Sequence, residues 1–309
     1  LGDVYKRQVI GHDGREDARS FTETAQVGLR LEALAEITAV KREKQAAIVH
    51  DWQNKWALEG SCGPRNAGMG YWNELKRHYN ALAREGIAVE FVDQNADLTG
   101  YGLVVVPMLY LLTDAFAKKL CAFAQNGGTV IVTYWSGVVD ESDLCRLGDT
   151  PYGLTELLGL RRTEIDGMYD GETRRCMPAA GCTLPAAQAS TLCEVAAFDE
   201  ENPAEPLSLY DEDYFAGHPA VAVHRYGKGR AYYLASRFDE AFYRAFYHDA
   251  AKEIGLSPAW PVALPEGILA VRRGSFVFVQ NCTEQPATVG NTVLERYRTA
   301  VWKGKDRIF

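Results

Sequence analysis

The chain has 309 residues, with 33 Lys+Arg against 41 Asp+Glu and a formal net charge of −8. An acidic balance supplies neither the basic face that nucleic acid requires nor a polybasic anchor for anionic lipid. The longest apolar run, 103–112, is broken by Pro107 and falls short of the roughly 20 residues of a membrane helix.

The chain opens on Leu1 rather than Met, and the segment 1–8 (LGDVYKRQ) reads as translated adapter sequence left by fragment assembly. It is set aside from fold reasoning. Residues 14–40 predict a helix: Phe21, Ala25, Leu29 (or Gly28), Leu31, Leu34 and Ile37 recur mostly at three- and four-residue steps. A charged connector, 41–45, follows.

From Ala46 the pattern alternates between strand and helix. Strands are predicted at 46–50 (AAIVH), 87–92 (IAVEFV), 103–107 (LVVVP) and 129–134 (TVIVTY). Between them fall helices at 71–85, stopped by Gly86, and at 114–126, with Thr113 as N-cap and Gly127-Gly128 as the stop. Fully apolar strands separated by helices predict an α/β fold with a doubly wound parallel sheet. Residues 152–158 read as a short helix, and 179–197 as small, polar and poor in strand signal. Tyr226-Gly227-Lys228-Gly229 reads as a hairpin turn between 220–225 and 231–235. A helix at 240–254 is capped by Gly255. The segment 258–265 (PAWPVALP) is the clearest linker, and short strands at 268–271, 275–280 and 287–289 predict a small antiparallel module.

The densest polar and aromatic cluster, residues 50–59 (HDWQNKWALE), stands at the end of the first strand, and 51–59 is read as a loop. Loops at strand C-termini are where open α/β sheets place ligands. Its tryptophans suit an interface or a sugar ring. Ser136, after the fourth strand, is the available nucleophile at a turn, but no spacing singles out His218, His224 or His248 as its base. The seven cysteines (62, 121, 145, 176, 182, 193, 282) form no CxxC pair and give neither a metal site nor a disulfide framework. Asn281-Cys282-Thr283 fits the glycosylation pattern, which carries no weight without a signal peptide. The thiols and the absence of a secretory h-region predict a reducing, cytoplasmic setting. No metal and no cofactor is predicted.

The quoted residues resemble the β-galactosidases of glycoside hydrolase family 42. Gly14-Arg15-Glu16-Asp17-Ala18-Arg19-Ser20-Phe21 looks like the end of that family's catalytic barrel, and residues 50–59 look like the opening of its middle domain. Residues 103–110, 127–137 and 139–145 resemble later parts of that domain. Leu264-Pro265-Glu266-Gly267-Ile268 resembles the start of its C-terminal β domain. The resemblance implies a division into 9–42, the end of a catalytic (β/α)8 barrel; 43–257, an amidotransferase-like (flavodoxin-like) trimerisation domain; and 262–309, a small β domain. The tail 296–309 departs from the family's ending, as a truncation or frameshift near Val293 would produce.

The resemblance further implies a homotrimer, a galactoside substrate, and a retaining mechanism with two glutamates in the barrel, upstream of this chain. No catalytic residue is therefore assigned to this chain. Asp51, Trp52, Asn54, Trp56, Glu59, Tyr134 and Trp135 are the candidates for a substrate entrance or interface. A free-standing amidotransferase-like enzyme is disfavoured, because the turn after the fourth strand holds Trp135-Ser136 and no Cys. A free-standing carbohydrate-binding or scaffold protein is the alternative.

Overall fold

A computed structural model describes residues 9–10, 14–61, 69–304 and 306–308. The expectation for residues 1–8, and Cys62, lie outside them.

Helix α1 (Arg19–Ala33) stands out from the body with no buried residue. A 3-10 turn, Ala35–Ala39, buries Ile37. Strand β1 (Ala46–Val49) then enters the core with all four residues buried. Helix α2 (Trp52–Gly60) and helix α3 (Tyr71–Arg84) precede β2 (Val89–Val92). β3 (Leu103–Val106), α4 (Asp114–Gln125) and β4 (Thr129–Thr133) complete the alternating part. After a short α5 (Thr155–Leu158) come β5 (Leu160–Gly167), β6 (Thr173–Pro178), β7 (Ala187–Phe198), β8 (Glu205–Tyr210), β9 (Pro219–Tyr226), β10 (Gly229–Leu234) and β11 (Ser236–Arg237). Helix α6 (Glu240–Ile254) closes this region.

These strands form one mixed sheet, ordered β11-β7-β6-β8-β9-β10-β4-β3-β1-β2, with β5 also paired to β7. β2, β1, β3, β4 and β10 run parallel. The rest is antiparallel. The expected parallel sheet is thus one half of a larger one. The hairpin β9–β10 forms as expected, and β10 also pairs with β4. Segment 179–197 corrects the expectation of little strand, because it holds most of the twelve-residue β7. Alanine, serine and cysteine have modest β propensity, but in β7 they allow close packing, and Ala187, Ala189, Cys193 and Ala196 are all buried.

A second sheet, β12-β13-β16-β17, is built from β12 (Ile268–Arg273), β13 (Phe276–Asn281), β16 (Thr299–Lys303) and β17 (Asp306–Arg307); β14 (Ala287–Val289) and β15 (Thr292–Leu294) form a hairpin. The tail takes part: β16 pairs along β13 and buries Ala300 and Val301. Asn281 is buried, and its amide donates to the carbonyls of Gln285 and Leu294, so its side chain is engaged inside the fold.

One buried charge ties the layers together. Glu74 on α3 is wholly inaccessible. It accepts from Arg237 Nε at 2.8 Å and from the Tyr243 hydroxyl at 3.0 Å, with His78 Nε2 3.5 Å away. Arg237 also donates to the Tyr134 hydroxyl. Burial alone would raise the Glu74 pKa, but His78, Arg237 and Tyr243 outweigh it and hold the carboxyl at about 2. The carboxylate therefore links α3 to β11, the turn after β4, and α6.

Because the folded-state pKa lies below the ordinary 4.5, the stabilisation is complete above about pH 4.5 and is lost as pH falls towards 2. Glu74→Gln should cost about 3–5 kcal/mol by stranding Arg237. Unfolding free energies measured against pH should fall less steeply below pH 4.5 in that variant than in the parent. Gly229 lies where β10 meets β4, and a Cβ there would collide with the Gly128 carbonyl oxygen and lie 2.5 Å from that of Ala124. Both obstacles are backbone. Gly229→Ala should cost about 3 kcal/mol in chemical denaturation.

Candidate functional site

The parallel strands deliver β1, β3, β4 and β10 to one edge, and the chain beyond each C-terminus forms the candidate site. The segment between β3 and α4 is the most constrained part. Met108, Leu109, Tyr110, Leu111 and Leu112 are all buried outside any extended strand. Backbone groups of Met108, Tyr110, Gly137, Val138 and Val139 pair with some of their amides and carbonyls, and the rest need side-chain partners. Thr133 Oγ1 accepts from the Met108 amide at 2.8 Å, and Ser136 Oγ from the Leu109 amide at 3.1 Å. Asn54 donates to the Met108 carbonyl at 3.0 Å and accepts from the Leu111 amide at 2.9 Å. Gln94 donates to the Leu111 carbonyl and to Asp51 Oδ2, and accepts from the Thr113 amide. Met108 holds a left-handed conformation, φ +42°, within this cage.

Residues 51–59 correct the expected loop: Trp52–Gly60 is helix α2. Asp51 caps it, accepting from the amides of Gln53 and Asn54. The helix escapes periodicity because two of its large apolar residues point outward. Trp52 is 53% exposed and Trp56 60%.

The expected site residues therefore separate. Asp51 and Asn54 are buried and bond within the scaffold. Tyr134 is fully buried, with its hydroxyl accepting from Arg237. Trp135 is half-buried, stacked on Tyr110 at 5.9 Å, and its amide donates to Glu194 at 2.9 Å. Trp135 takes the left-handed conformation at this turn, φ +59°, while Ser136 points inward. Ser136 is committed to the Leu109 amide. His218, His224 and His248 bond instead to Ala196 O, Leu157 O and Glu85.

Trp52, Trp56 and Glu59 remain on the surface, with Glu59 paired to Lys55 at 2.5 Å. Two residues join them: Trp72, which the amino-acid pattern did not single out, and His50, which belongs to the 50–59 cluster but not to the candidate set. Trp72, at the start of α3, is exposed and lies 6.0 Å from Trp52. The His50 ring stacks on Trp72 at 4.7 Å and meets Trp52 edge-on at 5.1 Å. Burial lowers the His50 pKa, with a smaller opposing effect of Asp51, so burial favours the neutral ring. Trp52 and Trp56 stand 6.2 Å apart. A hollow of about 320 Å³ adjoins them, lined among the described residues by Lys55, Glu59, Met69, Tyr71, Trp72 and Met108. Trp72 was detectable: it sits on the solvent side of the 71–85 helix, where a large aromatic has no core to enter.

The edge thus offers an exposed aromatic surface on a rigid base. The buried carboxylates are engaged elsewhere: Glu74 by Arg237, and Glu194 by Arg162 at 2.7 Å and by the Tyr233 hydroxyl. Among the described residues no cluster of His, Cys, Asp and Glu could hold a metal ion. No described helix is long and apolar enough to cross a membrane.

A family model described as the β-galactosidase trimerisation domain matches residues 44–257. The chain is 42% identical over 288 residues to β-galactosidase BglY of Alicyclobacillus acidocaldarius, covering 91% of this chain and 41% of that protein. It is 34% identical over 285 residues to β-galactosidase GanA of Bacillus subtilis, again covering 91% and 41%. Among solved structures, a β-galactosidase from a Rahnella species superposes with a TM-score of 0.88 at 38% identity, covering 95% of this chain and 45% of the other. A catalytic mutant of Gan42B, a GH42 β-galactosidase from G. stearothermophilus, gives 0.86 at 30% identity, with the same coverage. The chain spans about 41% of the length of these curated relatives. It belongs to the β-galactosidase trimerisation-domain family of glycoside hydrolase family 42.

Proposed function

We propose that this chain is the trimerisation and support portion of a β-galactosidase that hydrolyses terminal β-D-galactosides with retention of configuration. In this reading both catalytic glutamates belong to a barrel that precedes Val9, and residues 9–42 are the end of that barrel. The observation that carries it is the exposed Trp52–Trp56–Trp72 surface on a caged sheet edge, within a chain whose residues 44–257 match a trimerisation domain. Tryptophan-rich patches on rigid scaffolds are the usual anchors of protein interfaces. A homotrimer closes such heterologous contacts into a ring. The same aromatic surface would wall a neighbouring subunit's substrate entrance, with Trp52 and Trp56 as anchors, and Glu59 and Trp135 flanking.

The parallel order β2-β1-β3-β4-β10 follows the 2-1-3-4-5 pattern of flavodoxin-like sheets. This supports an amidotransferase-like reading of residues 43–257. In that reading the turn after β4 keeps the shape of a nucleophile turn while Trp135 occupies it. Residues 262–309 are the small β domain.

Two substitutions separate surface from scaffold. In the intact enzyme, Trp52→Ala with Trp56→Ala should leave the melting temperature nearly unchanged. It should weaken assembly by about 2 kcal/mol or more, the scale of interface anchors, or raise KM. Light scattering and galactoside kinetics measure this; unchanged mass and unchanged KM would remove the proposal. Asn54→Ala strands the buried Leu111 amide and leaves the Met108 carbonyl with only the Tyr110 amide, and should lower unfolding stability by about 1–3 kcal/mol.

A further inference from the structure

A second feature lies away from the aromatic edge, between α3 and α6. Arg77, Asn80 and Arg84 share a stripe of α3 at i, i+3 and i+7. Glu240, Tyr243 and Arg244 face them from the first turns of α6. Together they line a hollow of about 100 Å³. Three guanidinium groups border one small volume, and only part of their charge is answered. Arg84 is committed to Glu240 at 2.9 Å and Glu266 at 3.3 Å. Arg77 Nε lies 3.7 Å from Glu74 Oε2, an oxygen that already accepts from Arg237. Arg77 Nε is itself buried and makes no hydrogen bond. Arg244 has no ion pair among the described residues.

Like charges around a shared hollow repel. A small oxyanion relieves that repulsion. The planar fork of a guanidinium matches the spacing of phosphate or carboxylate oxygens, which a halide cannot reproduce. The volume corresponds to about three waters at ~30 Å³ each, enough for a phosphoryl group and little more. We propose that this hollow is a binding site for a phosphoryl oxyanion, held by the Arg244 guanidinium, the Asn80 amide and the outer N–H groups of Arg77. The ligand is inorganic phosphate or the phosphate of a small sugar phosphate whose remainder projects into solvent. Bound there, it bridges α3 and α6. This site stands independently of the trimerisation reading, because it uses none of the aromatic residues.

The test is calorimetric titration of the 309-residue chain with inorganic phosphate at fixed ionic strength. The expected result is one saturable site per chain. Affinity should fall at least tenfold in Arg244→Ala, whose melting temperature in chloride should match the parent. Arg225→Ala, on β9 and outside the hollow, should bind as the parent does. Titration with glucose 6-phosphate separates the sources: tighter binding with the same Arg244 dependence assigns a sugar phosphate, and equal or weaker binding assigns free phosphate. The proposal is overturned if phosphate gives no saturable binding beyond chloride. It is equally overturned if the affinity survives the joint Arg244→Ala and Asn80→Ala substitutions.

Discussion

The backbone from Met108 to Leu112 is buried, yet it lies beyond the point where the parallel strands pair. Backbone partners meet part of its demand, but the amides of Met108, Leu109 and Leu111 and the carbonyl of Leu111 would otherwise be unsatisfied in an apolar setting, at a cost of about 1–3 kcal/mol each. Four side chains meet this demand: Asn54 from α2, Gln94 from the turn after β2, and Thr133 and Ser136 from the end of β4 and beyond. The arrangement works in both directions. By satisfying the turn, Asn54 also fixes the helix that carries Trp52 and Trp56. A surface that must meet a partner in one orientation needs such a base, since ordering it on contact would cost conformational entropy.

Buried carboxylates have a similar part. Glu74 and Glu194 sit deep in the fold, and each is matched to an arginine and a tyrosine hydroxyl. Glu74 joins elements distant in sequence: α3, β11 and α6. Matched charges of this kind add little net stability over apolar packing, but losing one partner is expensive. They therefore act as a registration device and fix how the helical layer seats on the sheet. Glu74, held low by His78, Arg237 and Tyr243, is also poorly suited to donate a proton near neutral pH.

Much of this fold is legible in the amino-acid order. β1, β3 and β4 are continuous apolar runs, α3 and α4 have clear caps and stops, and the Tyr226–Gly229 turn marks its hairpin. The antiparallel half is less legible, because β7 is built largely from small residues such as alanine, serine and cysteine, and its burial depends on partners as far away as Ser236 and Leu160. The helix after β1 reads as a loop because Trp52 and Trp56 face out and break the apolar periodicity, although Asp51 caps it. The site was legible as a neighbourhood and not as a set of roles. Nothing local distinguishes Asn54, fully buried, from Trp56, 60% exposed; the difference arises from the turn that β3 places above α2. Tyr134 follows a strand that enters the core, and Arg237, far along the chain, determines where its hydroxyl goes.

The described fold is thus proposed to be an assembly module whose aromatic edge meets further copies of itself. Sedimentation velocity of the 309-residue chain over a range of concentrations puts that proposal at risk without recourse to catalysis. A dominant species of three times the 34.3 kDa chain mass is expected, with dissociation to single chains only on dilution. A single 34.3 kDa species at every concentration, with a native melting transition, would contradict it.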